Sequence, residues 1–200
     1  MSYMRIVRRL WIWGMMFLLL CGCTQGEEPI KTPSLSVTDT MKQYLDALIA
    51  QDGMTMANLT IEDSGFDFTI TDADAQELGM DTDTARKLYK QLLTFNYKLE
   101  PETVNGDQAE ILVHISTYDL NQVLTDIVEA HKEEFAEIYD QELEEEEKNQ
   151  EIASIIVDAV AQESRSYNFD VTFHLQLIDQ VWLIDNADEQ SLFQALFQQE

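Results

Sequence analysis

Cysteine is almost absent from this chain. Its 200 residues hold two, Cys21 and Cys23, both near the start. From residue 24 onward, disulfides, thiolate metal sites and cysteine nucleophiles are therefore excluded together. Positive charge is scarce as well: twelve Lys and Arg stand against 38 Asp and Glu, a formal net charge of −26. Phosphate binding needs a basic surface, so nucleic acid and anionic lipid are ruled out as partners of a basic patch. Glycine and proline are few, and neither occurs after Gly106. The apolar run Leu10 to Leu20 is eleven uncharged residues, against the ~20 a membrane-spanning helix needs. There is no glycine-rich phosphate loop, no serine nucleophile elbow and no zinc-protease helix motif. The residues assign no catalytic group, no metal ligand set and no cofactor.

What the chain does have begins with Arg5, Arg8 and Arg9 ahead of that apolar run. Their order and length match a removable signal segment. The run ends in Leu20-Cys21-Gly22-Cys23, which resembles the lipobox of bacterial lipoproteins. The resemblance implies cleavage before a cysteine that carries a diacylglycerol. Gly22 is small enough to precede that cysteine, whereas Leu20 before Cys21 is too bulky. Cys23 is therefore the expected lipidated residue, its thiol converted to a thioether. The competing reading is an uncleaved anchor helix or a buried core helix. On the lipobox reading, residues 1–22 are the signal and 23–35 a lipidated tether, broken up by Gly26, Pro29 and Pro33. Residues 36–200 are then the domain, held at the extracytoplasmic face of the cell membrane. Losing residues 1–22 removes three arginines and no acid, so the net charge moves to −29.

Within the domain, Ser36-Val37-Thr38-Asp39 has the form of a capping box. Val37, Met41, Tyr44, Leu45, Leu48 and Ile49 follow at helical spacing, and Asp52-Gly53 is expected to end that helix. A short helix is expected within 54–60, and 61–80 gives mixed signals. Thr82 is the expected cap of another helix bearing Ala85, Leu88, Tyr89 and Leu92. The period then changes to two. Leu93 to Leu99, Ala109 to Thr117 and Tyr167 to Leu177 alternate as strands, with a turn expected at Asn105-Gly106. Asp179-Gln180 leads tightly into the strand Val181-Trp182-Leu183-Ile184, and Leu192, Phe193, Leu196 and Phe197 mark a closing helix. Between the second and third long strands, about 120–165, two apolar stripes read as helical. One helix there would be ~65 Å long at 1.5 Å per residue, so two helices folded back near Lys148-Asn149-Gln150 are expected. The alternative is one long protruding helix.

Together these elements predict an α+β domain, a curved antiparallel sheet packed on N-terminal helices with a helical-hairpin insertion. The Ser36–Asp52 helix followed by Gly53, the Phe95-to-Ile115 hairpin and Val181-Trp182-Leu183-Ile184-Asp185 resemble the NTF2-like (cystatin-like) fold. Gram-positive bacterial lipoproteins of unknown function look similar, with a lipobox, a tether and such a domain. The resemblance covers about residues 36–198. Such folds host enzymes, transport factors and binding domains, so fold does not decide activity.

Four residues are candidates for ligand contact. His114 and His174 alternate opposite the aliphatic stripes of their strands, where two imidazoles on neighbouring strands can meet; two half-exposed strand residues is the plainer account. Tyr97 and Trp182 line a pocket between helix and sheet or else pack the core. Asp72, Asp74, Asp81 and Asp83 are poor calcium ligands, because Glu77 stands where a calcium loop wants Gly and Asp83 where it wants Glu. The expected function is a non-enzymatic binding or protein-interaction module held to the membrane through lipidated Cys23, its partner an envelope protein or a small ligand. The alternative is a small-pocket, hydrolase- or isomerase-like enzyme using the cone of the fold. Replacing Cys23 by Ala is expected to abolish lipid labelling and to release the protein or leave it unprocessed; unchanged labelling would overturn the assignment.

Overall fold

The computed structural model describes residues 34–62, 68–77 and 79–197. The expected signal, Cys23 and the tether through residue 33 lie outside the described residues. Helix α1, Val37–Ala50, starts where Ser36 accepts the Asp39 amide at 3.0 Å and donates its hydroxyl to the Asp39 carboxylate at 2.7 Å. It ends one position before the anticipated stop. Gln51 takes the left-handed conformation, φ 59°, and Asp52 instead caps the short helix α2, Gly53–Ala57. Helices α3, Asp72–Glu77, and α4, Thr82–Leu92, follow. The cap of α4 is Asp81, not Thr82: its carboxylate accepts the Thr84 amide at 2.9 Å and the Thr84 hydroxyl at 2.7 Å. A carboxylate also suits the positive end of the helix dipole.

The sheet is built on one long pairing. Strand β3, Gln108–Thr117, and strand β4, Tyr167–Ile178, run antiparallel from Gln108 opposite Gln176 to Thr117 opposite Tyr167. The other edge of β3 is shared by β1, Asn96–Leu99, and β2, Thr103–Asn105. These divide at Pro101, which has no amide to give to a ladder. The β2–β3 loop is Gly106-Asp107, one residue beyond the expected Asn105-Gly106, and Gly106 supplies the positive φ of 68° that its first position requires. Strand β5, Val181–Ile184, pairs with the end of β4. Its two-residue loop, Asp179 and Gln180, has φ 48° and 71°, the conformation of a type I′ hairpin without glycine.

Alternation sorts the strand residues by face. Ala109, Ile111, Val113 and Ile115 of β3 and Val171, Phe173 and Leu175 of β4 are buried, while the residues between them face out. Met41, Tyr44, Leu45 and Leu48 of α1 are fully buried in the same core, with Trp182, Ile184 and Leu192. The Tyr44 ring meets Phe173 edge-on, centroids 6.3 Å apart. The chain closes with α8, Asn186–Leu196, after Asp185 caps it. Glu189 of α8 is 3% exposed and accepts the Tyr44 hydroxyl at 2.9 Å, which ties α8 to α1 through the core.

The insertion consists of α5, Leu120–Ala130, α6, Lys132–Tyr139, and α7, Glu145–Val160. It reverses at 140–144, so Lys148-Asn149-Gln150 is helical rather than a turn, and no single long helix forms. The reason is electrostatic. Glu145, Glu146 and Glu147 occupy the first turn of α7, where the dipole favours acids. Lys148 donates to the Tyr139 carbonyl at 3.1 Å, neutralising the last turn of α6 across the reversal. Tyr118, Val123, Ile127 and Val160 form a second, smaller core against Leu88 and Leu92 of α4. Arg165 then pins the returning chain, donating to the Thr94 carbonyl at 3.0 Å with its guanidinium 5.2 Å from the Tyr118 ring centroid.

Tyr44→Phe removes the hydroxyl that Glu189 uses without opening a large cavity. It is expected to cost about 0.5–1.5 kcal/mol, the range for losing one hydrogen bond. Thermal or urea denaturation measures this; an unchanged midpoint would show that the pair does not hold α8 in place.

Candidate functional site

The two strand histidines face outward and each has its own pair of carboxylates. On β3, His114 lies opposite Asp170 of β4. Its Nδ1 is 2.6 Å from Asp170 Oδ1 and its Nε2 3.2 Å from Glu100 Oε1. Carboxylates only accept, so both ring nitrogens donate, which is the imidazolium form. The Asp170 hydrogen bond, joined by the charges of Asp170 and Glu100, raises the His114 pKa above its ordinary value against the opposing desolvation. Lys98 also pairs with Glu100 and, with His114, lowers that carboxyl below the usual range.

His174 lies on β4 opposite Glu110 of β3, four positions along the ladder from the His114–Asp170 pair. The two histidines therefore do not meet, since four residues of strand span about 13 Å. Where β5 ends, the N-terminus of α8 takes over the edge of β4. The Asp185 amide donates to the His174 carbonyl at 2.9 Å, and the His174 amide donates to Asp188 Oδ2 at 2.6 Å. The same Asp188 oxygen accepts from His174 Nδ1 at 3.0 Å. Asp188 thus orients the ring and caps the strand edge at once. Nε2 is left facing Glu110 Oε1 at 3.8 Å. An open cleft of about 270 Å³ lies beside it, lined by Gln108, Glu110, His174, Gln176, Asp185 and Ile61. Three nearby acids, Glu110, Asp185 and Asp188, favour a cationic ligand.

Tyr97 and Trp182 lie on the inner side of the sheet. Trp182 is buried in the main core. Tyr97 is half-buried and donates its hydroxyl to Asp46 Oδ1 at 2.6 Å, fastening β1 to α1; burial, with Asp46 beside it, pushes its pKa up. Asp72, Asp74 and Asp81 are likewise occupied by Thr82, Thr71 and Thr84 at helix starts. Among the described residues, no group of three or more His, Cys, Asp and Glu is placed to hold a metal ion. His131 pairs within its own helix turn with Glu134, 2.8 Å away. Glu100, Glu110, Asp170 and Asp188 were not singled out in the sequence. Only Asp188, three residues after the capping Asp185, carried a local signal; the others become partners through strand register.

No protein-family model matches the sequence, and no curated protein matches it. One solved structure does, described as a "putative lipoprotein (ycdA)" of Bacillus subtilis, with 14% identity and a TM-score of 0.44. The match covers 82% of this chain and 48% of that one, so this chain spans about half its length. A likeness that loose carries no argument about function.

His114 yields a pH signature. Its pKa is raised on folding, so its pairing stabilises the fold fully below its unfolded value, about 6.5. That contribution fades as pH rises through the folded pKa. NMR titration is expected to place His114 above 6.5 and to bring it down in Asp170→Asn. The stability gap between the two proteins is expected to be widest below pH 6.5 and to narrow as pH rises; a gap that widens with pH contradicts the assignment.

Proposed function

We propose that this chain is a lipoprotein held by Cys23 at the extracytoplasmic face of the cell membrane. Its domain, residues 36–200, is read as NTF2-like and as a non-enzymatic protein-interaction module. The anchor rests on the arginine-led apolar segment and the Leu20-Cys21-Gly22-Cys23 tetrad. Among the described residues no helix is long and apolar enough to cross a membrane, so a lipid anchor has no competing span there. The observation that carries the interaction reading is how apolar surface is spent. Side chains of α1 pack on the inner face of the sheet, and Tyr97 and Trp182 pack there with them. Apolar side chains remain on the outside; besides Met54, Ile61 and Val104, the insertion exposes Leu124, Val128 and Tyr139. Exposed apolar surface of that kind marks partner sites more often than catalytic ones.

A second reading, a small-ligand site or small-pocket enzyme, is favoured by the cleft beside His174 and lies on the outer face of the sheet rather than in its cone. Crosslinking in the native envelope separates the two. Recovery of a specific attached protein, dependent on Cys23, is expected. No attached protein, together with a small molecule copurifying and lost in His174→Ala, would sink the interaction reading in favour of the cleft.

A further inference from the structure

Part of the insertion's apolar surface is left outside the protein. Val123 and Ile127 of α5 and Ile138 of α6 are buried, whereas Leu124 and Val128 are 51% and 54% exposed and Tyr139 is 55% exposed. Phe135 is half-buried and packs partly against the second core. Leu124 and Val128 are one helical turn apart on α5, as are Phe135 and Tyr139 on α6. α5 ends and α6 begins at His131, whose φ of −108° and ψ of 12° are not helical. The four side chains follow one another along the outer side of the two helices as an apolar stripe, with Leu124, Val128 and Tyr139 the most exposed.

Charge decides what can cover it. Residues 119–163 carry fifteen Asp and Glu against two lysines, Lys132 and Lys148. Lys132 lies 3.2 Å from Glu129, and Lys148 is engaged by Tyr139 and Glu145. A second copy of the chain would bring the same excess of acid against its own, and an anionic lipid surface is repelled for the same reason. A purely apolar segment would leave the carboxylates beside it without counter-charge as water is lost.

We infer that the stripe Leu124, Val128, Phe135 and Tyr139 docks an amphipathic helix of another protein, rich in Lys and Arg. The partner's apolar face lies on the stripe and its cations lie over the surrounding carboxylates. This rests on the interaction-module reading and adds the surface and the partner's chemistry. Apolar contact supplies the affinity at the centre, and the acidic surroundings steer the approach, so association is salt-sensitive.

The test uses the full chain in phosphatidylcholine nanodiscs and a 16-residue Leu/Lys peptide with leucines at helical i, i+3, i+4, i+7 spacing. Binding that weakens with salt is expected, with no binding of the same peptide carrying Glu for Lys. The double variant Leu124→Gln, Val128→Gln alters exposed positions and keeps helix-forming residues. It is expected to retain the wild-type melting temperature and to bind the Leu/Lys peptide at least tenfold more weakly. Equal affinity in the variant would show charge attraction alone and overturn the stripe, as would failure of the peptide to bind the wild type. If envelope crosslinking still recovers a partner in either case, the interaction module stands and this surface falls. If it recovers none, the module reading itself falls.

Discussion

The rest of the domain depends on the β3–β4 ladder. Ten consecutive register pairs hold these two strands together, from Gln108 opposite Gln176 to Thr117 opposite Tyr167. Because side chains alternate, this one pairing sends aliphatic and aromatic residues inward along both strands and polar residues outward. The inner row gives α1 its surface to cover. The outer row places His114 beside Asp170 and His174 beside Glu110. A slip of one residue in either strand would turn that strand's histidine toward the core and its aliphatic residues toward water. The ladder therefore sets both the core and the candidate site.

Much of this was legible in the chain itself. The period-two runs located β3, β4 and β5, and the stripe from Val37 to Ile49 located α1. The failures were electrostatic and local. A turn was expected at Lys148-Asn149-Gln150 because Asn tolerates left-handed backbone. The glutamates before it instead open a helix at its positive end, and Lys148 closes the preceding one. Thr82 was expected as a cap, but the neighbouring Asp81 accepts two hydrogen bonds from Thr84. Tyr97 and Trp182 read as either pocket or core residues, because aromatics serve both equally well. Both pack with the main core, and what α1 brings across to them is a tertiary matter.

Acidity gives the two surfaces of interest a common character. His114 and His174 each sit between carboxylates, and the insertion is dense with Glu. Both surfaces discriminate against anions and favour cationic groups, whether on a small ligand in the His174 cleft or on a protein segment along the α5–α6 stripe. The difference is in apolar content. The cleft mixes charged and amide side chains with Ile61, Ala109 and Leu175, while the stripe offers Leu, Val, Phe and Tyr.

By itself the sequence determined the elements with strong periods, the absence of thiol chemistry beyond residue 23, the excess of acid and the expected lipid anchor. Each of these is a property of local residue order or of composition. Only the tertiary structure decided which carboxylates meet the strand histidines, that α1 packs on the inner face of the sheet, and which of the insertion's apolar side chains remain outside. Those outcomes depend on contacts between residues up to 145 positions apart, such as Tyr44 with Glu189, and local sequence spacing carries no signal for them.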